Sequence, residues 1–157
     1  MEHVIREMKT NDYFLLDDFL YNAIFIPKGI NPPPKSIIQQ EELQVYVKDF
    51  GKLKDDVALV AETNGKIIGA VWARIMNDYG HIDNDTPSLA ISLYKDYRGY
   101  GIGTDLMQNM LSLLKRRSYK RVSLAVQKEN YAVKMYKNVG FAIVDENPQE
   151  YIMVRRL

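Results

Sequence analysis

With 157 residues, 46% of them hydrophobic and 26% charged, the chain has the size and balance of one compact soluble domain. Its 21 basic and 20 acidic side chains leave a formal net charge of +1, so no global field argues for nucleic acid, an acidic polymer or a membrane surface. The absence of cysteine excludes a disulfide framework, a thiolate metal site and a covalent mechanism through a protein thiol.

Residues 1–10 carry Glu2, Arg6, Glu7 and Lys9 and hold no apolar core of signal-peptide length. No window approaches the roughly 18 apolar residues of a membrane span, so the expected location is the cytoplasm. His3 and His81 are the two histidines, neither set with acids at helical ligand spacing, and no metal is expected.

In chain order, Val4, Arg6 and Met8 alternate with Ile5, Glu7 and Lys9, a short strand that runs into the cap-forming cluster Thr10-Asn11-Asp12. Phe14, Leu15, Asp18, Phe19, Tyr21, Asn22 and Phe25 give an amphipathic helix that must stop before Pro27. Residues 27–34 include Pro32-Pro33-Pro34, which lack amide donors and form a stiff loop. A second helix is expected over residues 36–49, ending near Gly51. Residues 57–62 and 67–75 flank Thr63-Asn64-Gly65-Lys66, and Asn-Gly suits the positive φ angles of a type I′ hairpin turn.

After the polar, acidic stretch 77–85, residues 89–93 read as a strand. Ile102, Leu106, Met110, Leu113 and Leu114 then recur at spacings of three and four, a long helix whose last turn carries Lys115, Arg116 and Arg117. Val122, Leu124 and Val126 alternate as a strand. Asn130 caps a short helix through Ala132, Val133, Tyr136 and Val139, stopped by Gly140. Residues 141–144 and 151–154 close the chain as strands around Glu146-Asn147-Pro148. With no repeat or linker, residues 1–157 are expected to form one α+β domain with a mostly antiparallel sheet, in which only the strand-helix-strand passage 89–127 is a parallel crossover.

The segment Arg98-Gly99-Tyr100-Gly101-Ile102-Gly103-Thr104 lies between a strand and a helix, where free amides converge and the helix dipole is positive. Glycines let the backbone turn tightly and approach a phosphate, and Arg98 adds charge; a plain tight turn is the competing reading. The dinucleotide fingerprint fails in both frames, because Thr104 and Leu106 stand where glycine or alanine is required. No P-loop sequence occurs either.

Arg98-Gly99-Tyr100-Gly101-Ile102-Gly103 resembles the R/Q-x-x-G-x-G/A motif of the GCN5-related N-acetyltransferases, the GNAT family, in full. About 30 residues on, Asn130, Ala132, Tyr136, Gly140 and Phe141 are similar to a second segment of that family, N-x-A-x-x-x-Y-x-x-x-G-F. The element order resembles that fold along essentially the whole chain. The resemblance implies a mixed sheet flanked by helices whose fourth and fifth strands are parallel and splayed.

The same resemblance implies acetyl-CoA as cosubstrate, with its pyrophosphate on the backbone from Arg98 through Gly99, Tyr100, Gly101, Ile102 and Gly103 to Thr104. Ile91, Ser92 and Leu93 would offer backbone groups to the pantetheine arm, the Leu93 amide acting as oxyanion donor. Asn130 would bind the arm beside Ala132, and Tyr136 would protonate the leaving thiolate as catalytic acid. Asn130 as a helix cap and Tyr136 as a core residue are the competing roles. The acceptor amine needs a base, and Asp78, Asp83, Asp85 and Glu62 are the available carboxylates, each more ordinary as a solvated charge. Tyr21, Phe25 and Trp72 beside the proline loop are candidates to line the acceptor site or to pack the core.

The implied reaction is direct transfer of an acetyl group in a ternary complex to an amine on a small molecule, peptide or protein. An acyl-CoA-binding regulatory module without catalysis is the alternative; neither nucleic acid nor membrane is an expected partner. Homodimers are common in the family, and no sequence feature decides that point here.

Overall fold

Asn64 and Gly65 sit at φ 50° and 77°, so the Asn-Gly turn takes the left-handed pair of conformations that closes β2 (Val57–Thr63) on β3 (Lys66–Arg74). The computed structural model describes all 157 residues. Around this hairpin it places β1 (Val4–Glu7), β4 (Ser88–Leu93), β5 (Arg121–Gln127), β6 (Ala142–Glu146) and β7 (Glu150–Arg156). The seven strands form one sheet in the order β1-β2-β3-β4-β5-β7-β6. Every neighbouring pair is antiparallel except β4 and β5, which are joined through helix α3 (Ile102–Arg116).

Each face of the sheet buries its own apolar cluster. On one face α3 lays Ile102, Leu106, Met110 and Leu114 against Leu59, Val71, Leu124 and Met153, and Tyr136 of α4 (Ala132–Asn138) joins them. The helical spacing of those α3 residues is the reason: one stripe faces the sheet while Asn109, Lys115 and Arg116 face water. On the other face Phe19 and Leu20 of α1 (Leu16–Ala23) cover Trp72, Val60 and Ala70. Helix α4 ends on Gly140 at φ 101°, and the Phe141 amide reaches back to the Tyr136 carbonyl at 3.0 Å, the closure that a left-handed glycine permits.

Two helical expectations change. Residues 10–15 form a 3-10 turn, so α1 begins at Leu16, and it ends at Ala23 where Ile24 turns extended (ψ 124°). The single helix expected over 36–49 is instead a 3-10 turn (Lys35–Gln39), one α turn, α2 (Glu41–Gln44), and further turns. Gln40 breaks the ladder at ψ 142°. Beyond α2, distant side chains satisfy the carbonyls of the following turns: Arg74 donates to those of Val45 and Lys48, and the Trp72 indole to that of Tyr46. Arg74 is locked in turn by a bidentate pair to Asp56, at 2.9 and 3.0 Å, with both side chains buried.

Candidate functional site

Strands β4 and β5 touch at a single rung, Ser88 opposite Ser123, and then diverge. Strand β5 pairs onward with β7 along its whole length, so the divergence opens a gap on the β4 side. The Tyr94 amide donates to the Ile68 carbonyl (3.0 Å), which makes Leu93–Gly69 a non-hydrogen-bonded pair of the β3–β4 ladder. The amide and carbonyl of Leu93, and by alternation those of Ile91, therefore face the gap. Ser92 pairs with Ala70 and turns its backbone to β3, contrary to the expectation; what it brings to the gap is a hydroxyl.

At the wide end of the gap stands the N-terminus of α3. Gly99 and Gly101 take φ 87° and 81°, and a Cβ at either would find nothing within 4 Å, so both open onto free space. The first intrahelical bond runs from the Asp105 amide to the Gly101 carbonyl, which leaves the amides of Ile102, Gly103 and Thr104 without helical partners. The dipole of a 15-residue helix ends at this point.

Together these elements bound a cleft of about 650 Å³. Ile91, Ser92, Leu93, Arg98, Gly99, Gly101, Gly103, Thr104, Asn130, Ala132 and Tyr136 all line it. Tyr100 points outward, and the Ile102 side chain is buried in the core, so only its amide faces the helix end. Lys95 and Arg98 are the charged lining residues, and no carboxylate joins them, so the cleft favours an anion. Arg98 does more than supply charge: its guanidinium donates to the Leu93 carbonyl (3.0 Å) and to the Asn22 carbonyl at the end of α1 (3.2 Å). It ties the glycine turn to both walls.

The Tyr136 ring is buried against Phe141, with 8% of the residue exposed, while its hydroxyl makes no hydrogen bond inside the protein and faces the cleft. Burial, with Tyr131 adding to it, pushes that hydroxyl well above the ordinary phenol range, so it stays protonated and able to donate. Asn130 combines the two roles weighed for it. Its Oδ1 accepts from the Ala132 amide at 2.9 Å, which caps α4 and leaves the Nδ2 donors facing the cleft.

Residues 21–26 and Pro32 form the wall opposite α4, with the Tyr21 hydroxyl donating to the Pro33 carbonyl and fixing the proline loop. Tyr21 and Phe25 thus line the cleft, whereas Trp72 is fully buried and packs the core. Lys95, Tyr131 and Met135 line it without having been singled out from sequence; the cation just before the glycine turn was the available signal for Lys95.

Two candidate bases are engaged elsewhere. Glu62 pairs with Arg6, and Asp83 is held down to about 2 by the Thr86 hydroxyl and Arg121. Asp85 lies exposed in the loop; Asp78 lies at the β4–β5 rung, bonded to Ser88. No group of three or more acidic or histidine side chains could hold a metal ion, and no helix is long and apolar enough to cross a membrane.

A family model described as acetyltransferase (GNAT) family matches residues 25–141, which takes in the cleft from Phe25, just after α1, through α4. The chain belongs to the GNAT family. An uncharacterised N-acetyltransferase of Methanocaldococcus jannaschii is 33% identical over 146 residues, covering 88% of this chain and 60% of that protein. The probable N-acetyltransferase camello of Xenopus tropicalis is 34% identical over 83 residues, 52% of this chain and 36% of its own. The GNAT chain thus spans between about a third and three fifths of the length of these curated relatives. Among solved structures, the PaiA N-acetyltransferase of Thermoplasma acidophilum in complex with coenzyme A superposes with a TM-score of 0.73 at 19% identity over the whole of both chains. The protein yncA of Salmonella typhimurium, solved with its cofactor acetyl-CoA, gives 0.72 at 16% identity, over 100% of this chain and 95% of that one. The mixed sheet with its parallel β4–β5 pair is the GNAT fold.

Proposed function

We propose that the protein is an N-acetyltransferase acting within one GNAT domain, in which acetyl-CoA and an amine meet in the cleft and react directly. The observation that carries this reading is the meeting of three features in one space: a glycine turn open to an anion, backbone groups of Ile91 and Leu93 facing a strand-sized gap, and the protonated Tyr136 hydroxyl. The two solved neighbours with CoA or acetyl-CoA bound support the choice of ligand.

Bound acetyl-CoA would supply an acyl group already activated as a thioester. The amides of Ile102, Gly103 and Thr104 hold its pyrophosphate at the positive end of α3, with Lys95 and Arg98 adding charge. Ile91 and Leu93 bind the extended arm as a neighbouring strand would, and the Asn130 amide group donates to it. The Leu93 amide, which faces the gap, would donate to the thioester carbonyl oxygen as charge develops there. Tyr136 gives its proton to the departing sulfur and recovers one from the new amide nitrogen.

The test is CoA release. Purified protein with acetyl-CoA and a panel of primary amines should liberate free thiol. Tyr136→Phe should bind CoA as the wild type does while releasing it far more slowly. Protein that binds CoA with high affinity and releases none with any amine would instead support a regulatory acyl-CoA-binding module. The expected location remains the cytoplasm.

A further inference from the structure

The titratable groups that line the cleft are Tyr21, Lys95, Arg98, Tyr131 and Tyr136, and none is a carboxylate or an imidazole. The acids of the same elements stand outside it: Asp17 and Asp18 on α1, Asp96 before the glycine turn, Glu129 before α4, and Asp105 on α3, which is bonded to His3. Tyr21 is spent on the Pro33 carbonyl, and Tyr136 already holds its proton. The lining therefore offers proton donors and positive charge, and no group of a type that takes up a proton at neutral pH.

The proton balance differs between the two forms of an amine. A neutral amine has its lone pair free to form the C–N bond as the C–S bond breaks with its electron pair on sulfur. The sulfur takes the Tyr136 proton, and the nitrogen returns one of its own to Tyr136. Amine and thioester become amide and thiol with no proton left over. An ammonium has no lone pair and brings one proton more, for which the lining holds no acceptor.

The wall opposite α4 adds a second constraint. Ala90 packs into the α1-side core, and Ile91 and Leu93 pack against the α3-side core, so Ser92 turns its side chain to the α1 side. Ser92 is 5% exposed and lines the cleft, yet its hydroxyl has no partner. Ile24, Phe25, Ile26 and Pro32 give the wall its apolar surface. The amides of Phe25 and Ile26 and the carbonyls of Ile24 and Phe25 make no hydrogen bond within the protein, which leaves them open to an amide group of a ligand. A body with a second positive charge would meet Lys95 and Arg98 with no counter-charge.

We propose that the cleft receives its acceptor as the free base: a weakly basic α-amino group beside an amide carbonyl, on an uncharged apolar residue, held by the Ser92 hydroxyl and the open backbone at Phe25 and Ile26. The inference rests on the acetyl-transfer reading. An α-amino group with a pKa of about 8 is neutral in roughly one molecule in ten at pH 7, a lysine ε-amine of about 10.4 in roughly one in 2,500. Ionisation alone thus favours the first roughly 200- to 400-fold. Polyamines and lysine side chains are disfavoured on both counts.

The experiment follows CoA release from acetyl-CoA across pH with phenylalanine amide, the tetrapeptide Phe-Ala-Ala-Ala amide and Nα-acetyl-lysine amide. For each acceptor kcat/KM should rise about tenfold per pH unit and level near the acceptor's own pKa, about 8 for the first two, and it should still be rising at about pH 9.5 for the lysine amide. At pH 7 the lysine amide should trail phenylalanine amide by roughly 200-fold or more. Ser92→Ala should raise the KM of phenylalanine amide about 3- to 10-fold and leave that of acetyl-CoA unchanged. An acidic limb at one common pH for all three acceptors marks a base on the protein and overturns the proposal. So does a lysine amide within about tenfold of phenylalanine amide at pH 7, and an unchanged acceptor KM in Ser92→Ala overturns the hydroxyl contact. Within the class, preference for the tetrapeptide supports a chain terminus as the source, and preference for the free amide a small metabolite. Release with another amine but with neither of these overturns the class and leaves acetyl transfer standing. A wild type that neither binds nor releases CoA removes the acetyl-transfer reading and this inference with it.

Discussion

Replacing Gly101 by alanine separates the backbone role of the glycine turn from its ligand role, because an identical backbone problem exists far away. Gly101 and Gly65 have φ of 81° and 77°, and at neither would a new methyl meet a protein atom within 4 Å. Each substitution should therefore cost about 1–2 kcal/mol of left-handed strain, with no steric addition. In a chain of this length that amounts to a fall in Tm of about 2–8 °C for either variant. Their CoA affinities should differ. The hairpin tip at Gly65 lies outside the cleft, whereas a methyl at Gly101 projects into the space before the free amides of α3. Displacing a phosphate from one charge-assisted hydrogen bond of about 1.5–3 kcal/mol corresponds to a Kd raised roughly 10- to 150-fold. Thermal denaturation and calorimetric titration with CoA read the two quantities separately. Equal CoA affinities in the two variants would refute the assignment of this turn to the pyrophosphate.

Tyr136→Phe should lower kcat about 100-fold or more with the CoA Kd unchanged, read by a thiol reagent that finds no cysteine in the chain itself. Asp56→Ala should destabilise the fold by about 3–5 kcal/mol in denaturant titration, because it strands the buried Arg74 charge and loosens the turns after α2. Asp78 carries a raised pKa, so above pH 4 the folded chain holds more protons than the unfolded one, and stability falls as pH rises through that window. Asp78→Asn should remove that fall and raise Tm at pH 7, read by thermal denaturation across pH. Asp83 works in the opposite direction. Its pKa lies near 2, so its pair with Arg121 and Thr86 stabilises above pH 4 and fades as pH drops toward 2, a loss that Asp83→Asn should abolish in acid titration followed by circular dichroism.

The elements legible in the sequence were those fixed by local chemistry. Asn64-Gly65, Gly140 and the α3 stripe each state their conformation within a few residues, and the order of strands and helices follows. Residues 36–49 depart from the single expected helix because Gln40 turns extended (ψ 142°), and the turns that follow are held by Arg74 and Trp72 of β3, which are remote in sequence. The glycine turn was legible for the same local reason. Arg98 was read as an anion contact, but its second partner is the Asn22 carbonyl, 76 positions earlier in the chain. Ser92 shows the limit most clearly. Which of its groups faces the cleft depends on the hydrogen-bonding phase of the β3–β4 ladder, and residues 89–93 alone do not carry that phase.

The single rung between Ser88 and Ser123 divides the molecule mechanically. Strands β1–β4 form one plate and β5, β7 and β6 another, joined in the sheet by one contact and spanned by α3. An extended ligand lying in the gap would complete the missing rungs on the β4 side, so it would serve as a removable strand as well as a reactant. Stiffness across the two plates would then rise and fall with each turnover, and amide exchange at Ile91 and Leu93, fast in the free protein, would slow whenever the gap is filled.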